Sequence, residues 1–404
     1  MIVSLNIAAT TVLLLVILTS QTVFAEDNIQ EKESIEVIGI TPTHGVGLPK
    51  ELIPYNVQSA SSTDLEASQT FDLTDFMNRN LGSVTINDAQ NNPLQSDVSY
   101  RGYSLSPLLG LPQGLAVYQN GVRINEPFGD SMNWDLVPES SIANINLIGG
   151  ANPVFGLNAL GGSLSITTKN GFTHQGKSIE TYGGSFDRFV STIESGGNNG
   201  KWGYFVTANY FDEEGWRDAS PSDALNLFGS LSYRATNTTL DLSLNHANTD
   251  LIGNGSSPVE LLELNREAVF TSPDQTENKM TMVNLEGTQW INDSIQLSGN
   301  TFYRINETDS FNGDGSEFTD CGGANAGFLC EEDDLTEPIE DQNGNNIAET
   351  VGGIERNAIN NISEREQEGF GANLQTTFLN DLFGHKNQLI FGTGYQQGLI
   401  DFFS

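Results

Sequence analysis

Beyond Gly176 the chain is written in long strands, each with one apolar and one polar face. In TLDLSLNHA, Leu240, Leu242 and Leu244 alternate with Asp241, Ser243 and Asn245. In GFGANLQTTFL, Phe370, Ala372, Leu374 and Phe378 alternate with Gly371, Asn373, Gln375 and Thr377. The stretches KWGYFVTANYF, NLFGSLSYRAT, SIQLSGNTFYRIN and NQLIFGTGYQQG follow the same rule, with aromatic residues toward several ends. A period of two marks a strand whose two faces meet different surroundings. Lipid on one side and water on the other produces it, with aromatic girdles at the interfaces. A soluble sandwich also alternates, in shorter strands, and stands as the rival architecture. About nine such strands precede the end of the chain at LIDFFS.

Between about Tyr55 and Thr168 the pattern is mixed α and β. Leu73, Phe76, Met77 and Leu81 recur at helical spacing, with Asp72 as N-cap and Gly82 as the C-terminal stop of a short helix. Compact strands follow in SVTI, SDVSYRG, GLAVYQNGVRI, IANINLIGG and GSLSITTK. Asn120-Gly121 puts a tight turn inside the third of these.

The N-terminal region is organised differently. In ESIEVIGI, Glu33 to Ile40, Ile35 and Val37 alternate with Ser34 and Glu36, which reads as one short strand with no neighbour to pair with. EDNIQEKE before it has the composition of a disordered lead-in, and TPTHGVGLPKELIP after it reads as a Pro- and Gly-rich linker. The first 25 residues carry no charged side chain, and their apolar run from Val12 to Leu18 is too short to span a bilayer. Ending in Val23-Phe24-Ala25, they read as a secretory signal cleaved after Ala25, which leaves 404 − 25 = 379 residues. The usual Lys or Arg of the leader is missing, and an uncleaved amphipathic anchor is the alternative.

Composition narrows the partners. With 52 Asp and Glu against 17 Lys and Arg the formal charge is −35, which disfavours nucleic acid. The hydrophobic fraction is 37%, no apolar stretch after the leader approaches helical membrane length, and 42 glycines are spread along the chain. A secreted β-protein and an outer-membrane barrel both fit. His44, His174, His246 and His385 are scattered without metal-ligand spacing, and there is no Gly-x-Ser-x-Gly or phosphate-binding loop, so an enzyme is not expected.

Several segments resemble, in order, the plug domain of TonB-dependent outer-membrane receptors. Tyr100-Arg101-Gly102-Tyr103 matches the family's Arg-Gly motif, and VYQNGV, ending in Gly121 and Val122, matches its strand and Asp-Gly-Val-like turn. The strongest match is IANINLIGGANPVFGLNALGGSLSITTK, with Gly150, Gly156, Ala159, Gly161 and Gly162 at the family spacing. The resemblance implies a mixed α/β plug followed by antiparallel transmembrane β-barrel strands in the bacterial outer membrane, importing a scarce ligand with energy relayed by TonB and its inner-membrane complex. The implied domains are a signal peptide at 1–25, a TonB box and linker at 26–54, a plug at 55–172 and the N-terminal part of a barrel at 173–404. A plugged transporter barrel has about 22 strands, so the chain is expected to be a fragment or an incomplete product. A passive channel or adhesin retaining a plug-like domain, and a soluble secreted β-protein, are the alternatives.

The resemblance also assigns sites. Ser34, Ile35, Glu36, Val37, Ile38, Gly39 and Ile40 stand where the family carries its TonB box, a strand that adds to the edge of another protein's sheet. The competing assignment is the plug's own first strand. Partly enclosed, Arg101 is expected to find a carboxylate or carbonyls and to hold plug to wall. Glycines at 149, 150, 156, 161 and 162 would allow close backbone approach inside a barrel of fixed width. Departures are Ala143, Asn144 and Asn146 where the family usually has an Arg and a Glu, Asn120 for Asp, and Leu81-Gly82-Ser83-Val84 for Pro-Gly-Val. A plug-to-barrel ion-pair cluster is therefore expected to be weaker or built differently. In the plug loops SLSPLLGLPQG and NEPFGDSMNW, Leu108, Leu109, Phe128 and Trp134 are candidates for ligand contact, with packing under the wall as the alternative.

The longest loop, about Asn312 to Arg365, is acidic and holds Cys321 and Cys330, the only cysteines, which should pair in an oxidising exterior. Within it Asp341, Asn343, Asn345 and Glu349 resemble part of a calcium loop, although Gly344 falls at the fourth position and Gly352 at the twelfth. A solvated acidic loop is the alternative to a Ca2+ site, and no other cofactor is expected.

Overall fold

The computed structural model describes residues 36–88 and 90–404. The leader, Ser34 and Ile35 therefore lie outside the described residues. The chain begins with a small hairpin of β1 (Val37–Ile38) and β2 (Leu48–Pro49), followed by β3 (Val57–Ser61). Helix α1 (Ser62–Ser68) starts on a capping box, in which Ser61 and Asp64 each bond the other's backbone N–H. Helix α2 (Leu73–Asn80) is the helix expected from the apolar spacing: the Asp72 side chain accepts from Asp75 N, and Leu73, Phe76 and Met77 are buried. Its stop differs from expectation. Leu81 is the C-cap, and Ser83, at φ 64°, takes the left-handed position assigned to Gly82.

Strands β4 (Val84–Asn87), β5 (Asp97–Tyr100) and β6 (Tyr103–Leu105) form an antiparallel sheet. They are followed by β7 (Leu115–Gln119), β8 (Val122–Arg123), β9 (Ile142–Gly149) and β10 (Gly162–Thr168). The main plug sheet has the order β3-β9-β10-β7-β8, with only β10 and β7 parallel. Both two-residue turns carry positive φ at each position, Arg101 (52°) with Gly102 (83°) and Asn120 (49°) with Gly121 (79°). That geometry matches the twist of the flanking strands.

The wall follows as a single antiparallel sheet of nine strands in sequence order. They are β11 (Gly176–Gly183), β12 (Phe189–Asn198), β13 (Trp202–Glu213), β14 (Ser222–Arg234), β15 (Thr238–Ile252), β16 (Asp274–Asn292), β17 (Ile295–Gly315), β23 (Ala358–Leu382) and β24 (His385–Phe403). A six-residue helix, α3 (Val259–Leu264), sits in the β15–β16 loop. The β17–β23 loop holds β18 (Phe318–Asp320), β19 (Leu329–Glu331), β20 (Asp334–Pro338), β21 (Thr350–Val351) and β22 (Ile354–Glu355). This loop is shorter than expected, because Gly315 still pairs with Ala358 and residues 358–365 continue a wall strand.

Connections alternate between short turns, as at 199–201, 235–237, 293–294 and 383–384, and longer loops at the opposite end. In barrels of this kind short turns face the periplasm and long loops the exterior. The alternation read from sequence is inside out relative to a soluble protein. Leu240, Leu242 and Leu244 are exposed on the outer face, whereas Ser243, Asn245, Ser298, Asn300, Gln375 and Thr377 are buried on the inner one. Polar side chains are buried there because the plug covers them. Trp202 and Tyr233, paired across β13 and β14 with ring centroids 4.9 Å apart, stand beside short turns, where an aromatic girdle belongs.

The main core joins plug to wall. Leu73, Phe76, Met77, Val117, Trp134 and Ile145 of the plug share one apolar cluster with Ala247, Met280, Met282 and Phe302 of the wall.

Candidate functional site

The N-terminal strand is docked on its own chain. Val37 pairs with Pro49 and Ile38 with Leu48. Ile38 is buried at 1% exposure among Ile53, Ala116, Tyr118, Ile148, Phe155 and Ala159, while Val37 stays 57% exposed. Of the proposed box, Glu36 to Ile40 are the described residues. The linker after it is not loose, as its Pro and Gly content suggested. Residues 39–47 run as a strap along the short-turn half of the wall. Thr43 is buried, His44 Nδ1 lies 2.7 Å from Glu286 Oε2 on β16, and Gln388 Nε2 on β24 donates to Val46 O at 2.6 Å. The charge of the Glu286 carboxylate is the main cause that holds the His44 imidazole above its ordinary pKa; burial opposes it, and the hydrogen bond His44 donates to Glu286 and the charge of Asp241 add to it.

The middle of the plug is fixed by a buried ion pair. Arg304 Nη1 and Nη2 on β17 donate to Glu126 Oε2 and Oε1 at 2.7 and 2.6 Å. Asn306 and Asn133 each donate to Glu126 Oε1 at 3.2 Å. The acid of this pair comes from the NEPFGDSMNW loop and its base from an inward-facing wall position, away from Ala143, Asn144 and Asn146. Glu126 and Arg304 were missed. The signals were an acid among the apolar residues of a plug loop and a lone Arg on the polar phase of a strand.

Nearby, buried Asp135 Oδ2 accepts from Thr249 Oγ1 at 2.7 Å and Asn278 Nδ2 at 3.0 Å, and burial pushes its pKa up to about 6. At the plug's end, Lys169 Nζ reaches Glu66 on α1 at 3.2 Å and Glu194 on β12 at 3.1 Å. Asn120 replaces the family's Asp without loss. Its Nδ2 donates to Thr168 Oγ1 at 2.7 Å and its Oδ1 accepts from Thr168 N at 3.0 Å, so both halves of the amide are used.

The motif residues have mixed fates. Arg101 is exposed, contrary to expectation, with its guanidinium 5.1 Å above the Tyr100 ring and no carboxylate of the described residues within salt-bridge reach. It occupies a left-handed turn position at φ 52°. Gly150 and Gly156 also adopt positive φ, and Ala159 is buried against Ile38 and Phe155. At Gly162 a Cβ would meet Ile148 O at 2.3 Å, so close antiparallel pairing with β9 requires the glycine.

Among the ligand candidates, Trp134 belongs to the shared core, buried at 5% exposure, which is the packing alternative. Phe128 also packs, stacked 5.3 Å from Phe402 of the wall while its N–H donates to Gln367 Oε1 at 2.9 Å. Leu108 is half-buried, and Leu109 alone of the four is exposed.

In the long loop Cys321 and Cys330 form a disulfide with Cα atoms 5.0 Å apart. Asp341 Oδ1 already accepts from Asn343 N at 2.8 Å and Asn345 N at 2.9 Å, and among the described residues no three His, Cys, Asp or Glu side chains gather as a metal ion requires. Such a carboxylate caps a turn.

Comparison with known proteins agrees with this layout. Residues 49–163 match the model of the TonB-dependent receptor plug domain. No curated protein matches this sequence. Among solved structures, the ferripyoverdine receptor of the outer membrane of Pseudomonas aeruginosa is 14% identical with a TM-score of 0.64, over 90% of this chain and 44% of its own. The ferric-catecholate import receptor Fiu of E. coli K12 is 13% identical with a TM-score of 0.65, over 91% and 50%. The siderophore receptor PiuA of Acinetobacter baumannii is 15% identical with a TM-score of 0.61, over 86% and 46%. The chain thus spans 44 to 50% of the length of these receptors. Residues 49–163 thus form a TonB-dependent receptor plug domain by sequence, and the chain as a whole shares the fold of the plug and first wall strands of these receptors.

Proposed function

We propose that this chain is the plug-bearing part of a transporter that imports a scarce small ligand across the outer membrane, energised through its N-terminal strand by TonB. The observation that carries the reading is the placement of that strand. Val37–Ile38 leaves the plug on the short-turn side, where the strap meets Glu286 and Gln388 on strand halves that end in the turns at 293–294 and 383–384. A periplasmic partner that recognises an extended strand would approach from that side. The two-residue pairing with Leu48–Pro49 is short enough to exchange for a longer pairing with the partner's sheet edge. Solved receptors of the same fold are described as siderophore receptors, which makes a ferric chelate the first ligand class to test.

The experiment uses the receptor in its native outer membrane. Deleting residues 34–40, or substituting Pro for Ile35 or Val37, removes strand pairing because proline lacks the N–H. Ligand uptake should be lost while ligand binding at the cell surface persists. Uptake that survives all three changes would rule out energy coupling through this strand and leave a passive channel or adhesin.

A further inference from the structure

Two cavities lie in the seam between the plug and strands β11 to β14. The outer one, about 210 Å3, is on the long-loop side and is lined by Asn91, Arg188, Glu213, Trp216 and Ser222. The inner one, about 200 Å3, is lined on the plug side by Glu66, Asp72 and Glu139, and on the wall side by Glu180, Glu194 and Asn226. Both touch Phe211. At their junction Phe71 packs edge-on against Phe211 at 5.5 Å, and the Arg188 guanidinium lies 4.3 Å over the Phe71 ring. Arg188 is itself neutralised by Glu213, 2.7 Å away. Three side chains thus form a constriction between the cavities.

The inner cavity has an uneven charge. Six carboxylates border it and Lys169 is its one Lys or Arg, already bound to Glu66 and Glu194. Glu139 has no ion-pair partner among the described residues. Asn226, buried at 7% exposure, has its Oδ1 without a hydrogen-bond donor although it lines this space. A buried acceptor without a donor costs free energy that an N–H group in the cavity would recover. Trp134 Nε1, likewise buried and without a partner, suits an accompanying water or hydroxyl. Leu65, Leu73, Val190 and Phe211 supply an apolar side. No three acidic side chains converge closely enough to chelate a metal ion among the described residues, so the charge is spread around the walls. A spread-out negative lining with an apolar flank fits an extended cation in preference to a point charge.

We propose that the inner cavity is a binding chamber for a small aliphatic ammonium or guanidinium compound, entered from the outer cavity past Phe71, Arg188 and Phe211. Glu139 is its main anionic contact and Asn226 Oδ1 its neutral acceptor. The proposal concerns binding and stands whether or not the chain imports a ligand. Burial, reinforced by Asp72, Asp75 and Glu180 and only partly offset by Lys169, pushes Glu139 up to about 8. Glu139 therefore keeps its proton at neutral pH, and an entering cation replaces that proton as its counter-charge. Binding at pH 7 releases protons.

The test is calorimetric titration of the purified protein in detergent micelles at pH 7 with putrescine, agmatine and neutral 1,4-butanediol, in two buffers of different ionisation enthalpy. Putrescine and agmatine should bind saturably with proton release, and butanediol should not bind. Glu139→Gln should weaken binding at least about tenfold, as expected for loss of a charge-assisted contact, and abolish the proton release. Asn226→Leu, which serves if Glu139→Gln does not fold, should weaken binding and keep the proton release. Absence of saturable binding by ~10 mM amine, equal binding of butanediol, or unchanged affinity in both variants would overturn the assignment.

Discussion

Glu126 on the plug and Arg304 on the wall hold each other by two hydrogen bonds of 2.6 and 2.7 Å, with side-chain exposures of 1 and 7%. A pair so enclosed specifies where the plug sits more than it adds stability, since both charges gave up water to form it. Breaking it from one side is costly. Arg304→Ala leaves the Glu126 charge buried with only Asn133 and Asn306 for partners, and should loosen plug seating by about 3 to 5 kcal/mol. Combining Glu126→Gln with Arg304→Met should recover most of that loss. Hydrogen exchange of the β7 and β8 amides in the folded receptor measures it. Equal protection in Arg304→Ala and the parent would show that the pair does not seat the plug.

The strap should respond to pH through His44. Its imidazole faces Glu286 at 2.7 Å, with Thr167 Oγ1 3.5 Å from Nε2. Asp241 adds a weaker pull, itself held by Arg234 at 2.9 Å. Docking raises the His44 pKa above its ordinary 6.5. The charged contribution is then fully present below 6.5 and is lost as pH rises through the docked value. A nitroxide on Ile40→Cys should report an immobile strap at pH 5.5 and growing mobility toward pH 8.5. In Glu286→Gln the mobility should be high and independent of pH. A pH-independent spectrum in the parent would remove the ion pair from the docking energy.

Much of this fold was legible in the sequence because its strongest signals are local. The period-two strands, the Asn120-Gly121 turn, the helix at Leu73 and the Asp72 cap each rest on a few neighbouring residues. The capping box at Ser61 and Asp64 was equally local but went unread, and with it β3 and α1. The contacts that join plug to wall were not legible. Glu126 and Arg304 are 178 positions apart, and nothing in either neighbourhood names the other. Arg101 misled for a related reason. Its motif was recognised, but the left-handed turn it occupies is set by the β5–β6 pairing, not by the residue type. The strap shows that Gly and Pro also mark chain that must approach another backbone closely.

The Cys321–Cys330 disulfide closes a loop of nine residues separation inside the long β17–β23 connection. In the chain-entropy model such a closure is worth about 2 to 3 kcal/mol to the segment it constrains. That segment is outside the wall, so its loss should stay local. Cys321→Ser with Cys330→Ser should speed protease cleavage between residues 316 and 357 by about tenfold or more. The heat-induced unfolding of the wall in detergent should not move. A shared drop in wall stability would mean that the loop is coupled to the strands more tightly than its position implies.

Two adjacent glycines separate backbone from side-chain crowding. At Gly161 a Cβ would come within 2.6 Å of the Tyr103 ring and 2.7 Å of Tyr103 Cβ, so rotation of the 41% exposed ring relieves the crowding only in part. At Gly162 it would come within 2.3 Å of Ile148 O, a backbone atom locked in the β9–β10 pairing, and φ there is 154°. Backbone cannot move aside without breaking the ladder that carries Leu164 and Ile166 into the core. Gly162→Ala, which meets backbone and has positive φ, should therefore cost about 2 to 4 kcal/mol of plug stability, and Gly161→Ala less, about 1 to 2 kcal/mol. The comparison is read from exchange protection of the β9 and β10 amides in the two variants. If Gly161→Ala is the more damaging, Tyr103 is a fixed part of the plug surface and the exposed ring has a support that its surroundings do not show.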